Sequence, residues 1–136
     1  MLYQIRNITA KYFEIPIAKI LIKLRLSPNL ITLLGLALAI VSSYLIADTS
    51  IENHFLIAAI VMLLSGIMDL LDGSVARLAN KVTKLGAFID SLADRMGEIA
   101  IFLGITLYFS MNDNTVGSAF TLVALGGSLT VSYIRA

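Results

Sequence analysis

Four long apolar stretches, separated by short polar segments, run through the chain from Asn29 onwards. They cover Asn29–Ala47, His54–Ala76, Leu85–Ser110 and Val116–Tyr133. Each is long enough to cross the hydrocarbon core of a bilayer as a helix, which needs about 20 residues. The pattern therefore predicts an all-α integral membrane protein, a polytopic bundle of four transmembrane helices.

The first 26 residues have a different pattern, in which basic and apolar side chains are interspersed. This pattern predicts an amphipathic helix lying on the membrane surface and bent near Pro16. Ser27 and Pro28 then resemble a helix start, with serine as the N-cap and proline at the first helical position. We therefore expect a single membrane domain over residues 1–136, in which residues 1–26 are a juxtamembrane segment and residues 27–136 hold the spans.

Composition supports a membrane protein and excludes several kinds of site. Hydrophobic residues make up 58% of the chain and charged residues 14%, whereas a soluble domain has about 25% charged residues. There is no cysteine and one histidine, so disulfides, thiolate metal sites and a zinc cluster are excluded. We expect a lipid bilayer around the protein and no nucleic acid as a partner.

The positions of the basic residues predict an orientation. All ten lysines and arginines lie in the N-terminal segment, the loop from Arg77 to Lys84, at Arg95, or at Arg135. The two remaining loops contain acids and no base, so the positive-inside rule places the Arg77–Lys84 loop in the cytoplasm. We expect a prokaryotic cell-membrane protein whose site opens towards the cytoplasm.

Four aspartates interrupt the second and third apolar stretches at helical spacing: Asp69, Asp72, Asp90 and Asp94. Each pair lies on one helical face, and a hairpin centred near Lys81 would bring Asp72 level with Asp90 and Asp69 level with Asp94. Acids inside a membrane usually mark a functional cavity, and four together would repel one another unless cations shared the site. Carboxylate oxygens suit Mg²⁺ or Mn²⁺.

Small residues share these two faces with the acids and are expected to let the two helices approach each other closely. They are Gly73 and Ala76 on the first face, and Gly86, Ala93 and Gly97 on the second.

The pattern D-x-x-D-G-x-x-A-R-x8-G-x3-D-x3-D resembles the signature of the CDP-alcohol phosphatidyltransferase family. All eight fixed positions are filled in this chain: Asp69, Asp72, Gly73, Ala76, Arg77, Gly86, Asp90 and Asp94. Members of that family usually have six spans, and this sequence has four. We therefore expect a domain that is truncated at its C-terminal end.

The resemblance implies a reaction and a role for each residue. A phosphatidyl group would pass from a CDP-linked lipid, CDP-diacylglycerol or an archaeal equivalent, to the hydroxyl of a small polar alcohol such as inositol phosphate or glycerol phosphate, releasing CMP. The four aspartates would hold two divalent cations, Mg²⁺ or Mn²⁺, and Asp94 would also be the general base. The implied CDP-lipid contacts are Asn29, Thr32, Gly73, Ala76, Arg77 and Gly86.

Two further expectations follow from the same resemblance. Arg135, in the sequence Ser-Tyr-Ile-Arg-Ala, resembles a residue that helps to hold a phosphorylated acceptor, although a basic residue there would also serve as a topology anchor. A homodimer is the expected assembly. Two alternatives stay open: a cation-conducting membrane protein with an acidic cluster inside the membrane, and an inactive fragment of the transferase.

Overall fold

The structure, a computed structural model, describes residues 14–135, with side chains up to Ile134. Within that range the regular structure is helical: α1 is Ile15–Lys23, α2 is Pro28–Ala47, α3 is His54–Leu78, α4 is Lys84–Met111 and α5 is Thr115–Arg135. Residues 1–13 of the predicted amphipathic segment lie outside the described residues. The four predicted apolar stretches correspond to α2, α3, α4 and α5.

Local sequence signals explain where these helices begin. The Ser27 side chain accepts a hydrogen bond from the Leu30 N–H at 3.3 Å, and Pro28 follows it as the first residue of α2, as predicted. Thr83 caps α4 in the same way, accepting from the Gly86 N–H at 2.9 Å. Each cap satisfies one of the backbone donors that a helix N-terminus leaves free.

Helix α2 is the centre of the bundle because it packs along both α3 and α4. Helix α5 packs on α4, and α1 packs on α3. Among the described helices, α3 and α4 make little direct contact with each other, although one short loop joins them. The two helices that carry the aspartates therefore face each other across a cleft whose floor is α2.

Serine hydroxyls hold α2 to its two neighbours. Three of them donate to carbonyl oxygens of the facing helix: Ser42 to Ala58 at 2.8 Å, Ser43 to Ala100 at 2.5 Å, and Ser65 to Gly35 at 2.7 Å. Small hydroxyl residues let helix backbones come close and replace hydrogen bonds that lipid cannot offer.

The small residues of the acidic faces do not bring α3 and α4 together, contrary to the expectation from sequence. A Cβ on Gly97 would lie 3.5 Å from the Cβ of Ala39, and one on Gly86 would lie 3.3 Å from Oδ1 of Asn29. Both neighbours belong to α2. The glycines of α4 therefore admit α2, and the space between α3 and α4 stays open.

A buried apolar cluster holds α1 against the bundle. Ala18 of α1 is completely buried and lies in one cluster with Ile31 of α2 and with Leu71 and Val75 of α3. The four side chains are 0–2% exposed, so the juxtamembrane helix is anchored to the same part of α3 that carries the acids.

Three of the described helices are long and apolar enough to cross a membrane: α2, α3 and residues Thr115–Ile134 of α5. Helix α4 has 28 residues, but Asp90, Asp94, Arg95 and Glu98 interrupt its apolar sequence. The structure is thus that of a helical membrane protein, and the fourth span stays a prediction.

The loop between α2 and α3 keeps an acid charged. Asp48 follows α2, and its carboxylate accepts a hydrogen bond from the Ser50 N–H at 3.0 Å. That bond, together with the nearby Tyr44 hydroxyl, holds the pKa of Asp48 below its usual range. The loop predicted to lie outside the cell is therefore anionic at neutral pH.

The close contact between Gly104 and Ser43 allows the packing of α2 on α4 to be tested directly. A Cβ at Gly104 would collide with the backbone carbonyl of Ser43, so we expect Gly104→Ala to destabilise the folded protein by about 1–3 kcal/mol. Thermal unfolding in lipid nanodiscs measures the effect. Gly126→Ala is the matched control, because nothing lies within 4 Å of a Cβ there. Equal melting temperatures for the two variants would contradict the close packing of α2 on α4.

Candidate functional site

Three carboxylates meet across the cleft between α3 and α4. Oxygens of Asp69 and Asp72 on α3 and of Asp90 on α4 all lie within 4.8 Å of one another. Two ligands on opposite sides of an Mg²⁺ ion are separated by about 4.2 Å, since each lies at about 2.1 Å. The three acids therefore fit a divalent cation after a small contraction, and their oxygens are the ligand type that such ions prefer.

The fourth acid, Asp94, stands next to this set. It lies one helical turn beyond Asp90 and lines the same cavity as Asp69. Two cavities adjoin the acids: the larger one is lined by Asp69 and Asp94, and the smaller one by Asp72 and Asp90. This pairing matches the register predicted for the two helices.

Helix α2 orients the most buried of the acids. The Thr32 hydroxyl donates to Oδ2 of Asp72 at 2.5 Å, and it also lies 3.2 Å from the carbonyl oxygen of Pro28. Asp72 is 5% exposed and Thr32 is 7% exposed. A hydroxyl has one proton to donate, and the shorter contact to a charged acceptor takes it. Thr32, predicted as a nucleotide contact, therefore also supports a carboxylate of the cluster.

All six residues predicted to contact a CDP-lipid line the smaller cavity, which has a volume of about 300 Å³. They are Asn29, Thr32, Gly73, Ala76, Arg77 and Gly86. Lys81 and Thr83 of the loop line it too. The structure thus brings residues from α2, α3, the loop and α4 to one cavity beside Asp72 and Asp90.

The larger cavity, of about 450 Å³, has a charged end and an apolar remainder. Asp69, Asp94, Arg95 and Glu98 form the charged part. The remaining lining is mostly apolar: Leu36, Ala39, Met62, Ile101 and Phe102. Thr32 lines both cavities, so the acids lie where the two cavities adjoin.

Sequence reasoning missed a polar connection between α4 and α5. Arg95 donates to the Ser132 hydroxyl at 2.5 Å and pairs with Glu98, which also accepts a hydrogen bond from Ser128. Arg95 lies 4.0 Å from a carboxylate oxygen of Asp94. An Arg and a Glu three positions apart in an apolar helix, with serines four apart on the next helix, were the signal available in the sequence.

Arg135, the predicted acceptor contact, is the last residue of α5. Its side chain lies outside the described residues, so its role stays a prediction.

Helices of membrane-spanning length around a carboxylate cluster that could hold a divalent cation define the class: helical membrane proteins with an acidic cluster between their helices. Within that class, the sequence profile described as CDP-alcohol phosphatidyltransferase matches residues 25–136. The chain belongs to the CDP-alcohol phosphatidyltransferase family.

Individual relatives agree with the family. The chain is 36% identical over 123 residues to the phosphatidylinositol phosphate synthase of Corynebacterium glutamicum, covering 89% of this chain and 55% of that protein. It is 35% identical over 119 residues to the archaetidylinositol phosphate synthase of Pyrococcus horikoshii, covering 88% and 58%. The chain thus spans little more than half the length of these relatives.

A solved structure has the same fold. The crystal structure of Mycobacterium tuberculosis phosphatidylinositol phosphate synthase in complex with manganese and citrate superposes with a TM-score of 0.79 at 28% identity. The match covers 90% of this chain and 57% of that one.

The bond from Thr32 to Asp72 generates a prediction about metal affinity. Thr32→Val removes the hydroxyl donor and should weaken Mn²⁺ binding about 10- to 100-fold, because groups that orient a ligand have effects of that size. Thr32→Ser should retain the affinity. Free Mn²⁺ in an electron paramagnetic resonance titration measures it.

Thr106→Val is the control for that experiment, since the Thr106 hydroxyl donates to the Phe102 carbonyl oxygen at 2.8 Å within α4. The same loss of affinity in Thr32→Val and Thr106→Val would show that the bond to Asp72 does not matter for the metal.

Proposed function

We propose that the whole protein transfers a phosphatidyl group, or its archaeal counterpart, from a CDP-linked lipid to the hydroxyl of a small polar alcohol. CMP is the second product. One observation carries the proposal: the acid cluster lies where the smaller cavity, lined by the six residues predicted to contact a CDP-lipid, adjoins the larger and largely apolar one. A substrate with a nucleotide head and a lipid tail needs that arrangement.

Asp69, Asp72, Asp90 and Asp94 would hold two divalent cations, Mg²⁺ or Mn²⁺. The mutual distances of three of these carboxylates support this assignment, as does the manganese in the Mycobacterium tuberculosis relative. When bound, such cations polarise phosphate oxygens and offset the negative charge that develops during transfer.

The smaller cavity receives the CDP part of the donor. The Arg77 guanidinium presents a planar set of donors that suits the diphosphate. Gly86 adds no side chain to the cavity wall, where a Cβ would lie 3.0 Å from Oγ1 of Thr83. Asn29, Thr32, Gly73 and Ala76 complete the contact surface.

Asp94 acts as the general base from the larger cavity. It stands outside the three closely spaced carboxylates, so it has an oxygen to offer the acceptor. The acceptor hydroxyl gives its proton to Asp94 and forms a bond to the lipid-side phosphorus. The bond from that phosphorus to the bridging oxygen breaks, and CMP leaves with that oxygen.

The acceptor we propose is inositol phosphate, with glycerol phosphate as the second candidate. The names of the relatives in Corynebacterium glutamicum and Pyrococcus horikoshii support inositol phosphate. Arg95 lines the cavity on the acceptor side, and Arg135 would add a second positive charge for the acceptor phosphate.

The proposed setting is a prokaryotic cell membrane, with four spans in this part of the protein and the site open to the cytoplasm. Helix α4 would be the fourth span, its polar residues turned towards the cleft and α5. We further propose that residues 1–136 belong to one domain and that the protein is a homodimer, as the family resemblance implies.

Release of CMP by the full-length protein tests the reaction. Membranes supplied with CDP-lipid, Mg²⁺ and inositol phosphate should release CMP, and free inositol or serine should not replace the phosphorylated acceptor. Cation flux without any CMP release would favour the cation-conducting alternative instead.

Asp94→Asn should lower the rate of CMP release by about 10²–10⁴-fold, the usual range for a missing general base, and leave CDP-lipid binding unchanged. Asp69→Asn should weaken CDP-lipid binding and metal binding together. Asp113→Asn, an exposed acid in the α4–α5 loop, is the control. Equal losses of CDP-lipid affinity in Asp94→Asn and Asp69→Asn would refute this division of roles.

Single cysteines test the orientation, because the chain contains none. Val82 is 70% exposed in the basic loop, and a cysteine there should be protected from an impermeant thiol reagent added to intact cells. A cysteine at Asn112, in the opposite loop, should react. Asn80 in the same loop is less suitable for a cysteine, because its φ of 52° disfavours that residue. The reverse labelling pattern would overturn the orientation.

A further inference from the structure

The juxtamembrane helix contributes a carboxylate that is connected to Arg77. Glu14, immediately before α1, accepts a hydrogen bond from the Ser74 hydroxyl at 2.7 Å. The same hydroxyl accepts a hydrogen bond from Nη2 of Arg77 at 3.0 Å. Three side chains, from the α1 end and from two successive turns of α3, are thus connected by hydrogen bonds, and the last of them lines the smaller cavity.

The hydrogen bonds between these three side chains use both the donor and an acceptor position of the Ser74 hydroxyl. A serine hydroxyl has one proton to donate and can accept from others. Ser74 gives its proton to a carboxylate and receives one from a guanidinium, so both of its bonds involve a charged partner and are of the stronger kind. Ser74 is 4% exposed, and a buried hydroxyl in such a network holds its neighbours in one geometry.

The position of the Arg77 guanidinium agrees with this constraint. It is folded back over Gly73, where an added Cβ would lie 3.3 Å from Nη1. Arg77 lines the smaller cavity, whereas Glu14 and Ser74 are not among the described residues that line it. Their effect on a ligand in that cavity would therefore pass through Arg77.

Helix α1 is well suited to present Glu14. The completely buried Ala18 fixes α1 on Leu71 and Val75, the residues on either side of the turn that carries Ser74. Glu14 is also the only acid before Asp48 in the sequence. All other charged residues of the segment are basic, so a structural role on the membrane surface alone does not account for a carboxylate there.

We infer that Glu14 and Ser74 are positioning residues that hold the Arg77 guanidinium in place for the diphosphate of the CDP-linked substrate. This inference rests on the proposed function, in which Arg77 binds that diphosphate. It assigns the juxtamembrane helix a part in substrate affinity in addition to its contact with the bilayer.

A double-mutant cycle on CDP affinity tests this indirect action. CDP binding to the full-length protein in lipid nanodiscs, at constant Mg²⁺, is measured by titration calorimetry. Ser74→Ala and Glu14→Ala should each raise the Kd for CDP by about tenfold, the effect expected for losing a hydrogen bond to a charged group. In an Arg77→Ala background, neither substitution should weaken binding further.

Conservative and matched variants separate positioning from stability. Ser74→Thr and Glu14→Gln keep a hydroxyl and an acceptor oxygen, so they should restore most of the affinity. Ser42→Ala is the matched control: Ser42 is also fully buried and donates to a carbonyl oxygen at 2.8 Å, far along α2 from the smaller cavity. It should lower the melting temperature without changing the Kd.

The outcomes distinguish this inference from the proposed function. If the wild-type protein does not bind CDP, the proposed function fails and the inference fails with it. If the wild type binds CDP but Ser74→Ala behaves like Ser42→Ala, only the inference is overturned. Additive losses in the Ser74→Ala, Arg77→Ala double variant would overturn it as well, because Ser74 would then act independently of Arg77.

Discussion

The packing of α2 against both α3 and α4 is the constraint on which the rest of the structure depends. Two helices joined by a short loop would ordinarily pack against each other, and acids on their facing sides would then be buried without room for counter-ions. Because α2 packs on both, the acids of α3 and α4 border a cleft instead. The serine-to-carbonyl bonds and the backbone contact at Gly104 hold α2 in that position.

The cleft also accounts for the different surroundings of the four aspartates. Asp72 is buried against α2 and bonded to Thr32, whereas Asp94 faces the larger cavity beside Arg95. Acids of one sequence motif thus have unequal environments, and unequal environments allow unequal roles. A site that needs both metal ligands and a free base can be built from one residue type in this way.

The outer helices α1 and α5 each send polar groups towards the centre. Glu14 reaches Ser74 from the α1 side, and Ser128 and Ser132 reach Glu98 and Arg95 from the α5 side. In apolar surroundings such groups are stable only when they are paired, so each of these contacts also fixes the orientation of its helix. The site is therefore supported from both flanks of the bundle.

The sequence by itself determined the helices, the starting point of α2 at Ser27, and the faces that carry the aspartates, because hydrophobic periodicity and capping act within one helix. It also contained the family motif, six of whose eight fixed residues line the smaller cavity. Only the tertiary structure decided that α2 packs on both helices that carry the aspartates, that Thr32 donates a hydrogen bond to Asp72, and that Glu14 accepts one from Ser74. Helical spacing sets the direction of each side chain about its own axis, whereas the choice of neighbouring helix depends on which surfaces are small enough to let two backbones come together.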